Sequence, residues 1–404
     1  MEPKIKIKGF DGEWSSKSLY DLGFMTAGGT PSTFIKEYWN GNINWLQSGA
    51  IQNNVIDEKA VVKKITEEGL SHSSAYLTKP DSVLIAITGA TCANVAYLPF
   101  QSSANQSVVS VETNEECDSM FLFQYLLTKR GNILSYKGGS AQSGVSLGNL
   151  KKLKLSLPSQ KEEQIALGKY FHGLDVIIEK LDSKLHSLKQ IKQASLQSML
   201  PRIGETMPTV RFRQFQSAWI ECKLETILTE RHEASTITKN LPQLSFTIAD
   251  GVIRPEDRKS NQRDFLIKDK DNKRYLITRV GDIIYNPANV VYGAIHRNSL
   301  IDGVVSPIYR IFSTNQDSRF IECVVRRPSF ISQLAMRTEG TVTKLKTLKP
   351  EAFLDMTVSI PTDMEEQRKI GEYFKNLDTQ INLQTLRLEK LKQIKSACLD
   401  NMFV

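Results

Sequence analysis

A 44-residue segment of this chain occurs twice. Residues 157–200 and 360–403 align without a gap at an offset of 203, with 19 identities. The shared runs include Glu162-Glu163-Gln164 with Glu365-Glu366-Gln367, and Lys189-Gln190-Ile191-Lys192 with Lys392-Gln393-Ile394-Lys395. Solenoid units run to roughly 20–50 residues, so so long a period means that something larger than a stacking motif was duplicated. The same register precedes each intervening segment: Pro3, Ile5, Phe10, Trp14 and Leu19 correspond to Pro208, Val210, Phe215, Trp219 and Leu224 at an offset of 205. The duplicated unit is thus a variable globular portion followed by an arm. A chain with this internal two-fold character suits a target with two halves.

The arms read as helices. Each copy opens with a proline and the pattern of a capping box, Ser159-Gln160-Lys161-Glu162 after Pro158 and Thr362-Asp363-Met364-Glu365 after Pro361. There the hydroxyl would accept from the N3 amide while the glutamate reaches back to the cap amide. Apolar residues then step by four and three through Leu167, Phe171, Leu174, Ile178, Leu181, Leu185 and Leu188. The second copy runs through Ile370, Phe374, Leu377, Ile381, Gln384, Leu388 and Leu391. A 3.5-residue repeat over about three heptads is a coiled-coil seam, and the two seams are expected to pair with each other. At ~1.5 Å per residue a continuous arm would reach ~60 Å. Gln384 interrupts the second seam; a polar residue there either fixes register or leaves the seam locally solvated. Beyond the heptads the stripe drifts to Ile191, Ala194, Met199 and to Ile394, Ala397, Met402, positions open to packing or to another subunit.

Composition narrows the class. The five cysteines and five histidines are scattered, with no paired spacing, so neither a disulfide framework nor a metal site is expected, and a reducing cytoplasm fits. The N-terminus lacks the apolar run of a signal peptide. Residues 82–100 carry no charge, but Thr88, Gly89, Thr91, Asn94 and Pro99 make them strand, turn and strand rather than a membrane span. The net charge of +8 is uneven: residues 201–359 hold 24 basic and 18 acidic side chains, whereas residues 1–156 hold 15 and 14. A basic excess of this size is compatible with phosphate contacts.

Each variable segment has β-prone runs broken by Gly, Asn and Pro, among them Asp81-Ser82-Val83-Leu84-Ile85 and Asp282-Ile283-Ile284-Tyr285, as in a mixed α+β domain. The first contains Gly28-Gly29-Thr30-Pro31-Ser32 and then Tyr38-Trp39-Asn40-Gly41-Asn42-Ile43-Asn44-Trp45, a glycine turn beside hydroxyls and amides that could meet phosphates or base edges. Trp39 and Trp45 read as core. The second gathers Arg254, Arg258, Lys259, Arg263, Lys268, Lys270, Lys273 and Arg274, with five acidic residues interspersed. No GxxxxGK[ST] loop is present. Tyr285-Asn286-Pro287-Ala288 lacks the second proline and the aromatic with which amino-methyltransferases clamp a flipped base. The chain reads as non-catalytic.

These features together resemble the specificity subunit of type I restriction–modification systems. The resemblance rests on the Gly-Gly-Thr-Pro-Ser to Trp45 signature, on the Leu-Pro-x-x-x-Glu-Glu-Gln and Ile-Pro-x-x-x-Glu-Glu-Gln lead-ins to the arms, and on the order domain, arm, domain, arm. The second segment departs from it, with Glu233-Ala234-Ser235 in place of the glycine turn, but retains Val305-Ser306-Pro307-Ile308-Tyr309. The resemblance implies an α+β chain with target-recognition domains at 1–156 and 208–359, and helical arms at 157–207 and 360–404 that pair as an antiparallel coiled coil. It implies that each domain reads one half of a bipartite double-stranded DNA target while the arms set the spacer and dock two methyltransferase subunits. Restriction subunits would complete the complex; S-adenosylmethionine, magnesium and ATP would belong to those partners, with no cofactor, metal or membrane for this chain. On that reading the candidate DNA contacts are Thr30, Ser32, Lys36, Tyr38, Asn42, Ser48, Asn105, Gln106, Lys137, Ser140 and Gln142 in the first domain. In the second they are Arg254, Arg258, Arg263, Lys273, Arg274, Tyr292, Arg297, Ser306, Thr341, Thr343 and Lys344. A related system with a fused restriction–methylation partner, or a coiled-coil scaffold with no nucleic-acid role, are the alternatives.

Overall fold

A computed structural model describes residues 3–138, 144–202, 204–258, 273–339 and 347–403. Two compact units divide the chain: residues 1–183 with 386–404, and residues 184–385. The two arm helices, Lys161–Ser198 and Met364–Met402, are uninterrupted over 38 and 39 residues. Each contributes its first part to one unit and its remainder to the other. No helix among the described residues is long and apolar enough to cross a membrane.

In the first unit a five-stranded sheet runs in the order Gly23–Ala27, Val108–Thr113, Ser82–Ala86, Val95–Leu98, Asn54–Val55. The uncharged stretch forms its middle hairpin, with Val83 opposite Tyr97, and turns through Gly89 and Ala93 at positive φ. A smaller sheet joins Lys64–Ile65, Trp39–Leu46 and Ser103–Ala104. The helix Ser119–Thr128 sets Phe121, Leu122 and Tyr125 into the core with the sheet residues Val83, Ile85 and Val111. The second unit repeats this scheme with Leu228–Glu230, Arg310–Thr314, Ile283–Tyr285 and Ile295–Arg297 in one sheet, and the helix Ser318–Val325 supplies Phe320 and Ile321 to its core. Its smaller sheets pair Ala234–Ser235, Tyr275–Thr278 and Gly303–Val305, and Ser245–Thr247 with Gly251–Ile253.

Both globular portions open and close on one two-stranded antiparallel ribbon: Trp14–Ser18 against Lys154–Pro158, and Ile220–Lys223 against Thr357–Ile360. Ser15 faces Leu157 as Ile220 faces Ile360, so the duplicated register extends to the hydrogen-bond pairing itself. The closing strand leads directly into the arm.

The helix starts differ by one residue from the capping boxes expected at Ser159 and Thr362. The first helical residues are Lys161 and Met364, and Asp363 rather than Thr362 accepts the Glu365 amide at 2.8 Å. The N3 glutamates are then Glu163 and Glu366, and these face inward to indoles rather than back to the cap. Within each unit the arms run antiparallel. In the first, Tyr170 meets Cys398 and Asp175 bonds Lys395; in the second, Tyr373 meets Ser195 and Asp378 bonds Lys192. These are the same contacts written twice, since each partner pair differs by 203.

The seams do less pairing, and more docking, than their heptads suggest. Leu167 and Phe171 enter the core of the first unit, and Ile370, Phe374 and Leu377 that of the second. Leu185, Leu188 and Leu388 are buried, whereas Leu174, Ile178, Leu181, Ile381 and Leu391 are half-buried. Gln384 is 7% exposed, which excludes a solvated seam, and its Oε1 has no hydrogen-bond partner among the described residues. Such a group specifies register at a cost in stability. Met199 and Met402 pack into the cores, while Ile191 and Ile394 remain exposed.

Candidate nucleic-acid interface

What joins each globular portion to its arm is a clamp at the arm's root. The Glu163 and Gln164 side chains are buried, as are Glu366 and Gln367. Trp14 donates its indole N–H to Glu163 at 3.3 Å, and Trp219 does the same to Glu366. Gln164 accepts from the Asp118 amide and donates to the Pro158 carbonyl; Gln367 repeats both bonds with Asp317 and Pro361. Asp118 and Asp317 in turn cap the helices at 119 and 318 by accepting from the Phe121 and Phe320 amides. One Glu-Gln pair therefore ties the ribbon, the core helix and the arm together, which is why that motif is among the identities of the repeat.

The copies differ in charge balance. Arg211 grips Glu366 with Nε and Nη2 at 2.6 and 2.7 Å and also donates to the Ser217 carbonyl. That pairing raises the guanidinium's pKa further. In the first copy Lys6 occupies the corresponding position, and burial pushes the Glu163 carboxyl up against the opposing pull of the Trp14 indole and Lys6.

The glycine turn of the first unit is built by close backbone approach. A Cβ on Gly28 would lie 2.1 Å from the Ala104 carbonyl oxygen, and one on Gly29 would lie 2.3 Å from the Ser74 carbonyl carbon. Trp45 donates to the Gly29 carbonyl and Trp39 to the Ser32 carbonyl, while their rings meet edge-on at 5.1 Å. Trp45 is core, 3% exposed, as its sequence context suggests; Trp39 is half-buried. The tryptophans thus brace a loop whose outer side presents Thr30, Ser32 and Lys36 to solvent, with Thr30 Oγ1 donating to Gln106 Oε1 at 2.5 Å. Asn105 lies beside them, its side chain accepting from the Ser107 amide. Asn42 is exposed at the irregularity in the strand Trp39–Leu46. Tyr38 stacks on His72 at 5.9 Å and is only partly available. Ser48 is half-buried in a turn and Lys137 exposed after a short helix. Ser140 and Gln142 lie outside the described residues.

In the second unit an ion-pair network stands in place of the glycine turn. Arg231 bonds both Asp282 (Nε, 2.9 Å) and Glu233 (2.6 Å), and Arg279 reaches Glu233 at 2.9 Å. Arg231, then Arg279, hold the Glu233 carboxyl below its usual range. Much of this segment's basic excess is spent in this way. Arg297 is 12% exposed with Glu322 at 3.4 Å, and Arg310, Arg319, Arg326 and Arg337 also have acidic partners. Arg274 donates to the Ala234 carbonyl, and Lys273 lies over the Tyr275 ring. Arg254 and Arg258 are exposed near the turn at Pro255, Tyr292 projects 72% exposed from the hairpin, and Ser306 is half-buried. Arg263, Thr341, Thr343 and Lys344 lie outside the described residues. Tyr285-Asn286-Pro287-Ala288 is a packed hairpin turn: Tyr285 is buried, Asn286 Oδ1 accepts from the Ala288 amide, and Pro287 O accepts from Leu348. Phe34 is 95% exposed on the same loop as Ser32 and Lys36, and Val62 is 93% exposed.

Against this geometry the comparisons with known proteins are specific. Residues 11–193 match the family of type I restriction modification DNA specificity domains. The MjaIX specificity subunit of Methanocaldococcus jannaschii is 27% identical over 155 residues, 38% of this chain and 36% of that protein. The EcoR124I/EcoR124II specificity subunit of Escherichia coli is 25% identical over 186 residues, 45% of this chain and 44% of that one. The matched stretches therefore span less than half of each relative. The crystal structure of a type I restriction–modification S subunit from M. genitalium superposes over 100% of this chain and 99% of its own, with TM-score 0.62 at 15% identity, which establishes the shared fold. Residues 11–193 are thus similar in sequence to the type I restriction modification DNA specificity domain, and the whole chain shares the fold of the M. genitalium S subunit.

Proposed function

We propose that this chain is the DNA-recognition subunit of a type I restriction–modification complex and has no chemistry of its own. The recognition domains at 1–156 and 208–359 each read one half of a bipartite duplex target, the arms fix the spacer, and two methyltransferase subunits dock on the arms. Restriction subunits complete the complex, and S-adenosylmethionine, magnesium and ATP are held by the partners. The observation that carries this reading is the repeated clamp: one Trp-Glu-Gln framework secures two otherwise divergent surfaces to two arms of the same register. An invariant frame with variable faces is what reading two different half-sites demands, since phosphate contacts position a protein and base contacts specify the sequence. The braced loop of Thr30, Ser32 and Lys36 beside Gln106 supplies hydroxyl, amide and ammonium groups of the kind that meet phosphates and base edges. The test is to express the chain with its neighbouring methyltransferase gene and map modified adenines by single-molecule sequencing. A two-part motif with an unspecified spacer is expected; a continuous motif, or none, would refute the reading.

A further inference from the structure

The two units fill the same place differently. In the first, Phe403 stacks on Tyr125 at 4.8 Å, with Phe171 and Phe121 at 5.2 and 5.5 Å. The residue just before the next helix there is Lys129, whose ammonium lies 4.9 Å from the centre of the Tyr125 ring. In the second unit both aromatics are lost: Leu200 occupies the repeat position of Phe403, and Val324 stands seven residues after its capping aspartate, as Tyr125 does. A cation is kept. Arg327 precedes the helix Pro328–Met336, burial lowers its pKa, and it has no carboxylate partner among the described residues. One of its Nη groups donates to the Pro201 carbonyl at 2.7 Å, and its Nε is enclosed by protein with no acceptor among the described residues. Beside it opens a cavity of about 540 Å³, walled by Leu196, Leu200, Pro201, Pro328 and Ile381 and bordered by Lys189, Lys192 and Arg202. Asp378, its sole carboxylate, is engaged by Lys192.

We propose that this cavity binds a small organic anion, a carboxylate or phosphate head on an apolar body, with the head on Arg327 and the body against Leu196, Leu200 and Ile381. Arg327 is half-buried and borders the cavity together with Lys189, Lys192 and Arg202, so its guanidinium offers an anionic head a charge-assisted partner beside the apolar walls. The volume lies within the range of small-molecule sites, which combine apolar walls with few polar groups. The proposal does not depend on the DNA-recognition reading, and its test separates the two. Titration of the full chain with phenyl phosphate and with octanoate, followed by calorimetry, is expected to show saturable 1:1 binding that inorganic phosphate alone does not reproduce. Arg327→Gln should weaken it at least tenfold, and Leu200→Phe, restoring the aromatic of the other copy, should abolish it while leaving duplex binding unchanged. Absence of saturable binding by the natural chain, full competition by a nonspecific duplex, or undiminished binding by Leu200→Phe would overturn the proposal; the last holds even if Arg327→Gln fails to fold.

Discussion

Gly168 and Gly371 are equivalent positions in the two arms, and both lie where an arm crosses the start of a core helix. A Cβ on Gly168 would stand 2.8 Å from the Phe121 amide nitrogen and 3.1 Å from Asp118 Oδ1. On Gly371 it would stand 2.8 Å from both Asp317 Oδ1 and Arg319 Cβ. Because the neighbours at 168 are backbone and a capping carboxylate, the arm and the core helix must separate. Alanine gains ~1 kcal/mol of helix propensity over glycine, whereas overpacking costs roughly 1–3 kcal/mol. With the Asp118 cap also disturbed, typically worth ~1 kcal/mol, Gly168→Ala should lose about 1–3 kcal/mol, and Gly371→Ala likewise. Gly173, on the same helix with nothing within 4 Å of its added methyl, is the internal control: Gly173→Ala should gain up to about 1 kcal/mol. Urea denaturation followed by circular dichroism and tryptophan fluorescence reads all three, since Trp14 and Trp219 report on the adjoining clamps. If Gly168→Ala were as stabilising as Gly173→Ala, the close crossing would not be what keeps glycine in both copies.

Insertion of four residues between Leu181 and Leu185 should change the preferred spacer, measured by methylation mapping, and leave both half-sites intact; altered half-sites with an unchanged spacer would contradict the ruler. His296 is buried, donates from Nε2 to the Ile248 carbonyl at 2.8 Å, and has its pKa lowered to about 4, chiefly by burial and then by Arg326, against the opposing effects of the Ile248 bond and Asp250. The unfolded chain takes up this proton near pH 6.5 and the folded one only near 4, so stability falls as pH drops through that window, by roughly 3 kcal/mol for a fully buried site. His296→Asn should flatten that part of the pH–stability curve; an unchanged slope would refute the assignment.

The frame was legible in the sequence because it was written twice. Repetition at offsets 203 and 205 located the arms, the flanking anchors and the Glu-Gln motif, and the turn-forming residues Thr88, Gly89, Thr91, Asn94 and Pro99 gave strand, turn and strand across 82–100. The clamp chemistry was less accessible. Spacing placed Glu162 and Glu365 in capping boxes, whereas tertiary demand for a partner to a buried indole turned Glu163 and Glu366 inward. Heptads alone likewise could not show that Leu167 and Phe171 serve their own domain's core, because a helix seam looks the same whichever apolar surface it meets. Among the candidate DNA contacts, composition offered Arg297 as a cation, yet Glu322, 25 residues away in sequence, lies beside it. Bracing of Thr30, Ser32 and Lys36 by two tryptophans was implicit in the motif but needed the fold to become geometry.

The proposed division between frame and DNA-reading surface is tested most directly by exchanging residues 208–359 for the corresponding segment of a type I specificity subunit and mapping adenine methylation in cells. The account predicts that one half-site changes while the other half-site and the spacer stay as they were. A change in both halves, or in the spacer, would contradict it.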